Sequence, residues 1–281
     1  MTQATKAGNL ALIGGGKMGG AIAARVVETG LFPADRVVVS DPDEGTGPRL
    51  EARLGKGKSP SAINDNVATI QDATTVLLAV TPQNIPAAME TLRGHLHLEQ
   101  LVMSIAAGVE LQTLQLGLRH AAIIRVMPNT PAQVGQGISA WIATEEVTEA
   151  QKAEARGILQ AIGREFEVDR ERYIDMVTAM SGSGPAWVML MLEAMIDAGV
   201  QIGLRPEWAK ELALQTMTGS VELMRETGMH AAQLRNMVTT PAGTTAAGLY
   251  AMEKGGLRAA IMSGIVAAYE RCLELGAAAR K

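Results

Sequence analysis

Residues 11–30 read ALIGGGKMGGAIAARVVETG, and this stretch decides how the first half of the chain folds. An apolar run ends at Ile13. Glycines then follow in the pattern Gly14-x-Gly16-x-x-Gly19, and an Ala/Val-rich stretch runs on to Gly30. In a strand–turn–helix of this kind the first glycine makes the turn. The second lets a pyrophosphate approach the backbone, and the third lets helix and strand pack closely. The helix start then turns unpaired N–H groups toward the phosphate charge. A glycine-rich turn without ligand shares the spacing. The strand before it and the helix after it favour a dinucleotide site.

Outward from this unit, short β-rich runs alternate with helical stretches up to Asp169. They are LALI (10–13), VVVS (37–40), TTVLLAV (74–80), LVMSIAA (101–107), AIIRVM (122–127) and ISAWIA (138–143). The runs are mostly continuous in hydrophobicity, as strands buried on both faces of a parallel sheet are. The fold class is therefore α/β. Residues 1–169 are expected to form a Rossmann domain with a doubly wound, mostly parallel sheet. In such a sheet ligands lie at the carboxyl ends of strands. Asp41 follows VVVS, 22 positions after Gly19. It either receives the adenosine ribose hydroxyls, which favours NAD over NADP, or belongs to an ordinary Asp-Pro turn. Ala79, Ala106, Ala107 and Gly108 sit at further strand ends, small enough for a cofactor to lie against backbone. Asn129, in RVMPNTPA, is either a polar group of the same crevice or an Asx turn between two prolines.

Beyond Asp169 the grammar changes. Apolar residues recur at helical spacing, as in WVMLMLEAMIDAGV, and only Pro185, Pro206 and Pro241 remain of the 11 prolines. Residues 170–281 are expected to form an all-α domain. Its helices are rich in Met, Ala and Leu all round, and a small domain cannot bury them alone, so self-association through it is expected. Ser181-Gly-Ser183-Gly-Pro185 interrupts the first long helix. Close packing near a ligand and a break needed for packing explain it equally.

Composition narrows the class. The chain has 281 residues, 47% hydrophobic and 19% charged, with a net charge of −4. That is a globular chain without the basic run of a nucleic-acid or membrane surface. One cysteine, Cys272, excludes an intramolecular disulfide or a thiolate metal cluster. Four scattered histidines give no metal spacing, and no metal is assigned. Neither a leader nor a membrane span is recognisable, so a cytoplasmic enzyme is expected.

Together, IGGGKMGGAI, AVTPQ, SIAAGV, RVMPNTPA, SGSGPAWV, GSVELMRETGMH and TTPAGTTAAGL resemble the pyrroline-5-carboxylate reductases, in that family's order and over nearly the whole chain. The resemblance implies a Rossmann domain followed by a helical dimerisation domain. It implies hydride transfer from NADPH or NADH to the imine carbon of 1-pyrroline-5-carboxylate, giving L-proline in the last step of proline biosynthesis. By the same resemblance Ile13, Gly14, Gly15, Gly16, Lys17 and Met18 form the pyrophosphate turn. Asn66, Ala79, Val80 and Pro82 line the adenosine side and its approach, and Ala106 and Ala107 lie near the nicotinamide.

The TTPAGTTAAGL segment contains no acid or base. It reads as a turn opening a helix, whose free N–H groups suit a carboxylate. Backbone N–H groups of Gly243 and Thr244 are assigned to the substrate carboxylate. On residue chemistry alone Thr245 is a helix-capping hydroxyl; the resemblance instead places its Oγ within reach of the ring nitrogen, as the catalytic group. Ala242 stands where the family pattern has glycine, and Thr240 where it has serine. A related cyclic imine is the alternative substrate. A β-hydroxyacid dehydrogenase would carry a lysine on its first long helix, and no lysine lies between Tyr173 and Leu204. A non-catalytic nucleotide-binding regulator is the rival of another class.

Overall fold

The computed structural model describes residues 8–279; the first residues, which bear on the expectation of no leader, lie outside the described residues. β1 (Leu10–Ile13) leads through the glycine turn into α1 (Lys17–Glu28), then β2 (Val37–Ser40), α2 (Thr46–Leu54), β3 (Ser61–Ile63) and α3 (Asn66–Ile70). β4 (Thr75–Leu78), α4 (Ile85–Leu92), β5 (Leu101–Ser104), α5 (Leu111–Leu118) and β6 (Ile123–Met127) continue the alternation. β7 (Gly137–Ala143), α6 (Glu149–Ala161) and β8 (Gly163–Glu167) close it.

Among the described residues, the eight strands share one sheet of order β3-β2-β1-β4-β5-β6-β7-β8. Only the β6–β7 pair is antiparallel. The reason is the connection. β6 and β7 are joined by a loop with a short 3₁₀ turn, Thr130–Val134, instead of a crossover helix, and a parallel pair needs the longer connection.

β1 explains the continuous apolar run. Leu10 and Leu12 face one side with Ile22 and Val26 of α1 and Ile158 and Leu159 of α6. Ala11 and Ile13 face the other with Ile70 of α3, Ile85 and Leu92 of α4, and Leu114 of α5. Alternate side chains point to opposite faces, so both faces must be apolar. Each large side chain fully buried in this way contributes roughly 1.5–3 kcal/mol. The sequence reading did not resolve β3 or β8. Both are edge strands, SAI and GREFE, with side chains mostly in solvent, so neither carries an apolar run.

The helical half comprises α7 (Arg172–Val177), α8 (Gly184–Gln201), α9 (Pro206–Thr227), α10 (Ala231–Met237), α11 (Thr244–Lys254) and α12 (Leu257–Ala279). The described chain up to Ser183, with the stretch from Ala268, forms one compact unit; Gly184–Ala267 forms a second. In the second unit the buried apolar side chains are Leu192, Ala209 and Ala213, while Met189, Leu190 and Met262 are among those left exposed. Such helices need a further surface against them. Among the described residues, no helix is long and apolar enough to cross a membrane.

Within the first unit one buried cation ties sheet to helix. Arg125 of β6 is 1% exposed and donates to Glu171 at 2.9 Å and to Asp175 of α7 at 2.7 Å. Glu171 also accepts from the Leu111 N–H at 2.7 Å, which draws in the start of α5. The carboxylates keep access to water, so loss of the arginine strands them only partly. Arg125→Met is expected to cost about 3 kcal/mol, the lower end for a broken buried pair. Urea unfolding measures this; an unchanged midpoint would mean that the cluster adds nothing to stability.

Candidate active site

The glycine turn is shaped by close backbone approach. Gly14 has φ +106°, and a Cβ there would lie 2.8 Å from the Ala79 carbonyl. A Cβ at Gly19 would lie 2.0 Å from the Gly14 oxygen. These two positions lock β1, α1 and the end of β4 together, and only glycine fits them. Gly16 is different: a Cβ there meets nothing within 4 Å, so open space lies over the turn. Gly16 is also the N-cap of α1 and supplies no side-chain cap. The first N–H groups of α1 are thus left for an anionic group, as a pyrophosphate requires.

β1 pairs with both β2 and β4, so the strand order reverses there. Outside the strand ends at this switch point lies a cavity of about 480 Å³. It collects Gly16, Lys17, Met18, Ala79, Val80 and Pro82, together with Ala106, Ala107 and Asn129. Thr81, Ile105, Met127, Pro128, Thr130 and Gly182 complete its wall. Gly15 lines a neighbouring cavity of about 450 Å³ with Arg49 and Arg53. Ile13 and Gly14 are buried beneath the turn.

Asp41 forms the turn of its second reading and also grips the glycine turn. Its Oδ1 accepts from the Asp43 N–H at 2.8 Å, an Asx turn, while Oδ2 accepts from the Gly15 N–H in the glycine turn. The carboxylate lines a third cavity, of about 350 Å³, beside Asp43 and Glu44. The Gly45 N–H, and then the Arg49 guanidinium, hold the Asp43 carboxyl below its ordinary range. Three carboxyl groups thus line this mouth.

Asn66 does not line these cavities. It opens α3, accepts from Ser40 Oγ at 2.6 Å and donates to Thr91 at 3.1 Å, so it braces β2 against α4. Asn129 makes no local cap. Its Oδ1 accepts from the Ile138 N–H at 3.0 Å and its Nδ2 donates to Ser181 at 3.2 Å. Ser181 lies in a π turn, Thr178–Gly182, between α7 and α8. The interruption at SGSG is therefore a wider helical turn packed on the crevice wall. A Cβ at Gly182 would meet Met127 at 2.4 Å. The glycine was legible as a signal; the change in hydrogen-bond register was not. Cys272 of α12 lies in the wall of a separate cavity, and burial pushes its thiol above the usual range, away from reactivity.

In the second unit Gly243 is the N-cap of α11, so Thr244 and Thr245 occupy the first two helical positions. There is no side-chain cap. The first helical bond is donated by Ala247 to Gly243 at 3.2 Å, so the Thr244 and Thr245 N–H groups have no helical acceptor, whereas the Gly243 N–H, expected to face a carboxylate, donates instead to the Thr240 carbonyl at 3.1 Å. The capping reading of Thr245 is not what forms; its half-buried side chain stands at an uncapped helix start.

The chain is 43% identical to the pyrroline-5-carboxylate reductase of Synechocystis sp. over 95% of its own length and 98% of the relative's. It belongs to the pyrroline-5-carboxylate reductase family. Residues 171–275 match the family description "Pyrroline-5-carboxylate reductase dimerisation", and residues 9–108 match "NADP oxidoreductase coenzyme F420-dependent". The solved pyrroline-5-carboxylate reductase of Coxiella burnetii superposes with a TM-score of 0.87 at 34% identity, covering 96% of this chain and 99% of that one. The Plasmodium falciparum pyrroline carboxylate reductase, solved with NADP bound, gives a TM-score of 0.86 at 29% identity, covering 96% and 98%.

The turn before α11 also holds a strained residue. Ala242 has φ +58°, in the left-handed region. Glycine adopts that backbone freely, whereas an L side chain there costs about 1–2 kcal/mol. Ala242→Gly is expected to stabilise the protein by about 1 kcal/mol, after glycine's larger unfolded-state entropy is allowed for. Denaturant melts of the two proteins decide it; a lower midpoint in the variant would contradict the strain.

Proposed function

We propose that the chain reduces 1-pyrroline-5-carboxylate to L-proline, the last step of proline biosynthesis, with NADH as its preferred reductant. The observation that carries this reading is the crevice at the β1/β4 switch point, with its uncapped glycine turn, in a chain of this family. A reduced nicotinamide bound there supplies the hydride. Gly16, Lys17 and Met18 hold the pyrophosphate, on a turn that Ile13, Gly14 and Gly15 support from beneath through bonds to Ala79, Ser40 and Asp41, and Asp41 receives the adenosine ribose. Ala79, Val80 and Pro82 flank the adenosine approach, with Asn66 bracing that side. Ala106, Ala107 and Asn129 flank the nicotinamide end, where small side chains let the ring lie against backbone.

The acidic mouth supports NADH. Asp41, Asp43 and Glu44 share one cavity, and Arg49 is already paired with Asp43 at 2.8 Å. A ribose 2′-phosphate entering there meets like charge, whereas a 2′-hydroxyl donates to a carboxylate.

For the substrate, the Thr244 N–H and the free N–H groups that follow it hold the carboxylate at the start of α11, while the Gly243 N–H, turned to the Thr240 carbonyl, shapes the turn before it. Thr245 Oγ hydrogen-bonds the ring nitrogen. A substrate entering as the iminium already carries its proton, so orientation is the main task and no strong acid is needed. Residues 1–169 then serve the cofactor, and residues 170–281 serve the substrate and self-association. The exposed apolar faces of α8–α12 support a homodimer or larger homo-oligomer built through the helical part. The setting proposed is the cytoplasm.

Purified protein is expected to oxidise NADH when 1-pyrroline-5-carboxylate is added, with higher kcat/KM than for NADPH. Asp41→Ser should move that ratio toward NADPH by about tenfold, equivalent to ~1.4 kcal/mol. No turnover with either cofactor would refute the activity, and a wild-type preference for NADPH would refute the role of Asp41. Thr245→Ala should lower kcat by about tenfold or more, the scale of one hydrogen bond to the reacting group. Its melting temperature should stay near wild type, because Thr245 caps nothing. Full activity in this variant would remove Thr245 from the mechanism.

A further inference from the structure

We infer that Ser181 is a positioning residue: it fixes the carboxamide of Asn129 so that one N–H faces an oxygen of the cofactor's nicotinamide nucleoside half. This rests on the crevice being the nicotinamide site.

Asn129 has one acceptor oxygen and two N–H donors. Its oxygen must face the Ile138 backbone, because that group is a donor, 3.0 Å away. The orientation of the amide is thereby decided, and Nδ2 lies on the side of Ser181. One of its hydrogens goes to Ser181 Oγ at 3.2 Å. The other is left for the cavity that Asn129 lines together with Ala106 and Ala107. An N–H in that place calls for an acceptor oxygen.

The π turn is what brings Ser181 to this post. The hydrogen bond of the Thr178–Gly182 turn spans one residue more than that of an α-helix, the Ser183 N–H closing on the Thr178 carbonyl at 2.9 Å. Gly182 lets the turn pack on the Met127 Cε, which a Cβ there would push aside. Such single-turn insertions recur where a helix must present a side chain at a functional site. Here the extra residue links the segment leading into α8 to the loop after β6, through one hydroxyl. With the hydroxyl gone, Asn129 is anchored at its oxygen only, and its free N–H is no longer directed.

The test is equilibrium binding to the purified full chain, followed by the change in nicotinamide fluorescence or by calorimetry. NADH is one probe, and ADP, which lacks the nicotinamide nucleoside, is the other. Ser181→Ala should weaken NADH binding about fivefold, the effect of losing one hydrogen bond, and leave ADP binding within about twofold. Ser181→Thr, which keeps the hydroxyl, should bind NADH like wild type. In an Asn129→Ala background, Ser181→Ala should have no further effect, since the two act as a unit. The inference is overturned if Ser181→Ala binds NADH like wild type. It is also overturned if ADP weakens equally, or if the loss persists undiminished without Asn129. Failure of the wild-type protein to bind NADH at all would instead overturn the reading of the crevice itself.

Discussion

The backbone of the first turn passes so close to the end of β4 that no side chain fits between them. Gly14 lies against the Ala79–Val80 peptide, and Gly19 lies against the Gly14 carbonyl. These contacts seat α1 directly on the sheet and bring its N-terminus to the point where the strand order reverses. Everything at the crevice follows from this approach. The free N–H groups, the open space over Gly16 and the small residues at the ends of β4 and β5 converge because two backbones touch.

Around that contact, long-range polar bonds set the walls. Asp41 grips the glycine turn, Asn129 reaches Ile138 and Ser181, and Arg125 draws α7 onto β6. Each partner of a buried or half-buried polar group matters more here than in water, because leaving it unpaired costs more than the bond contributes. The proposed chemistry fits this economy. Reduction of a cyclic imine needs a held carboxylate and an oriented nitrogen, which backbone N–H groups and one hydroxyl supply. A segment without acid or base is suited to that task.

Strands with both faces buried were legible residue by residue. LALI and VVVS coincide with β1 and β2, because a two-sided core demands an unbroken apolar run. The edge strands β3 and β8 left no such trace, since most of their side chains meet solvent. The glycine turn was legible because its spacing encodes a steric requirement. Asn66 shows the opposite case: its type is compatible with a ligand, yet in the fold it bonds Ser40 and Thr91 and stands outside the crevice.

Local chemistry alone therefore determined the order of the buried strands, the glycine turn, and the helix start at Thr244. These depend on apolar periodicity and on backbone conformations that few residues tolerate. Pairing across the chain is another matter. Nothing near Asn129 specifies Ile138 or Ser181, and nothing near Asp41 specifies Gly15. Such bonds join residues 9 to 52 positions apart, and they exist only once the sheet and the π turn have brought them within reach. The side-chain type of a polar residue states what it can bond; the tertiary fold chooses its partner.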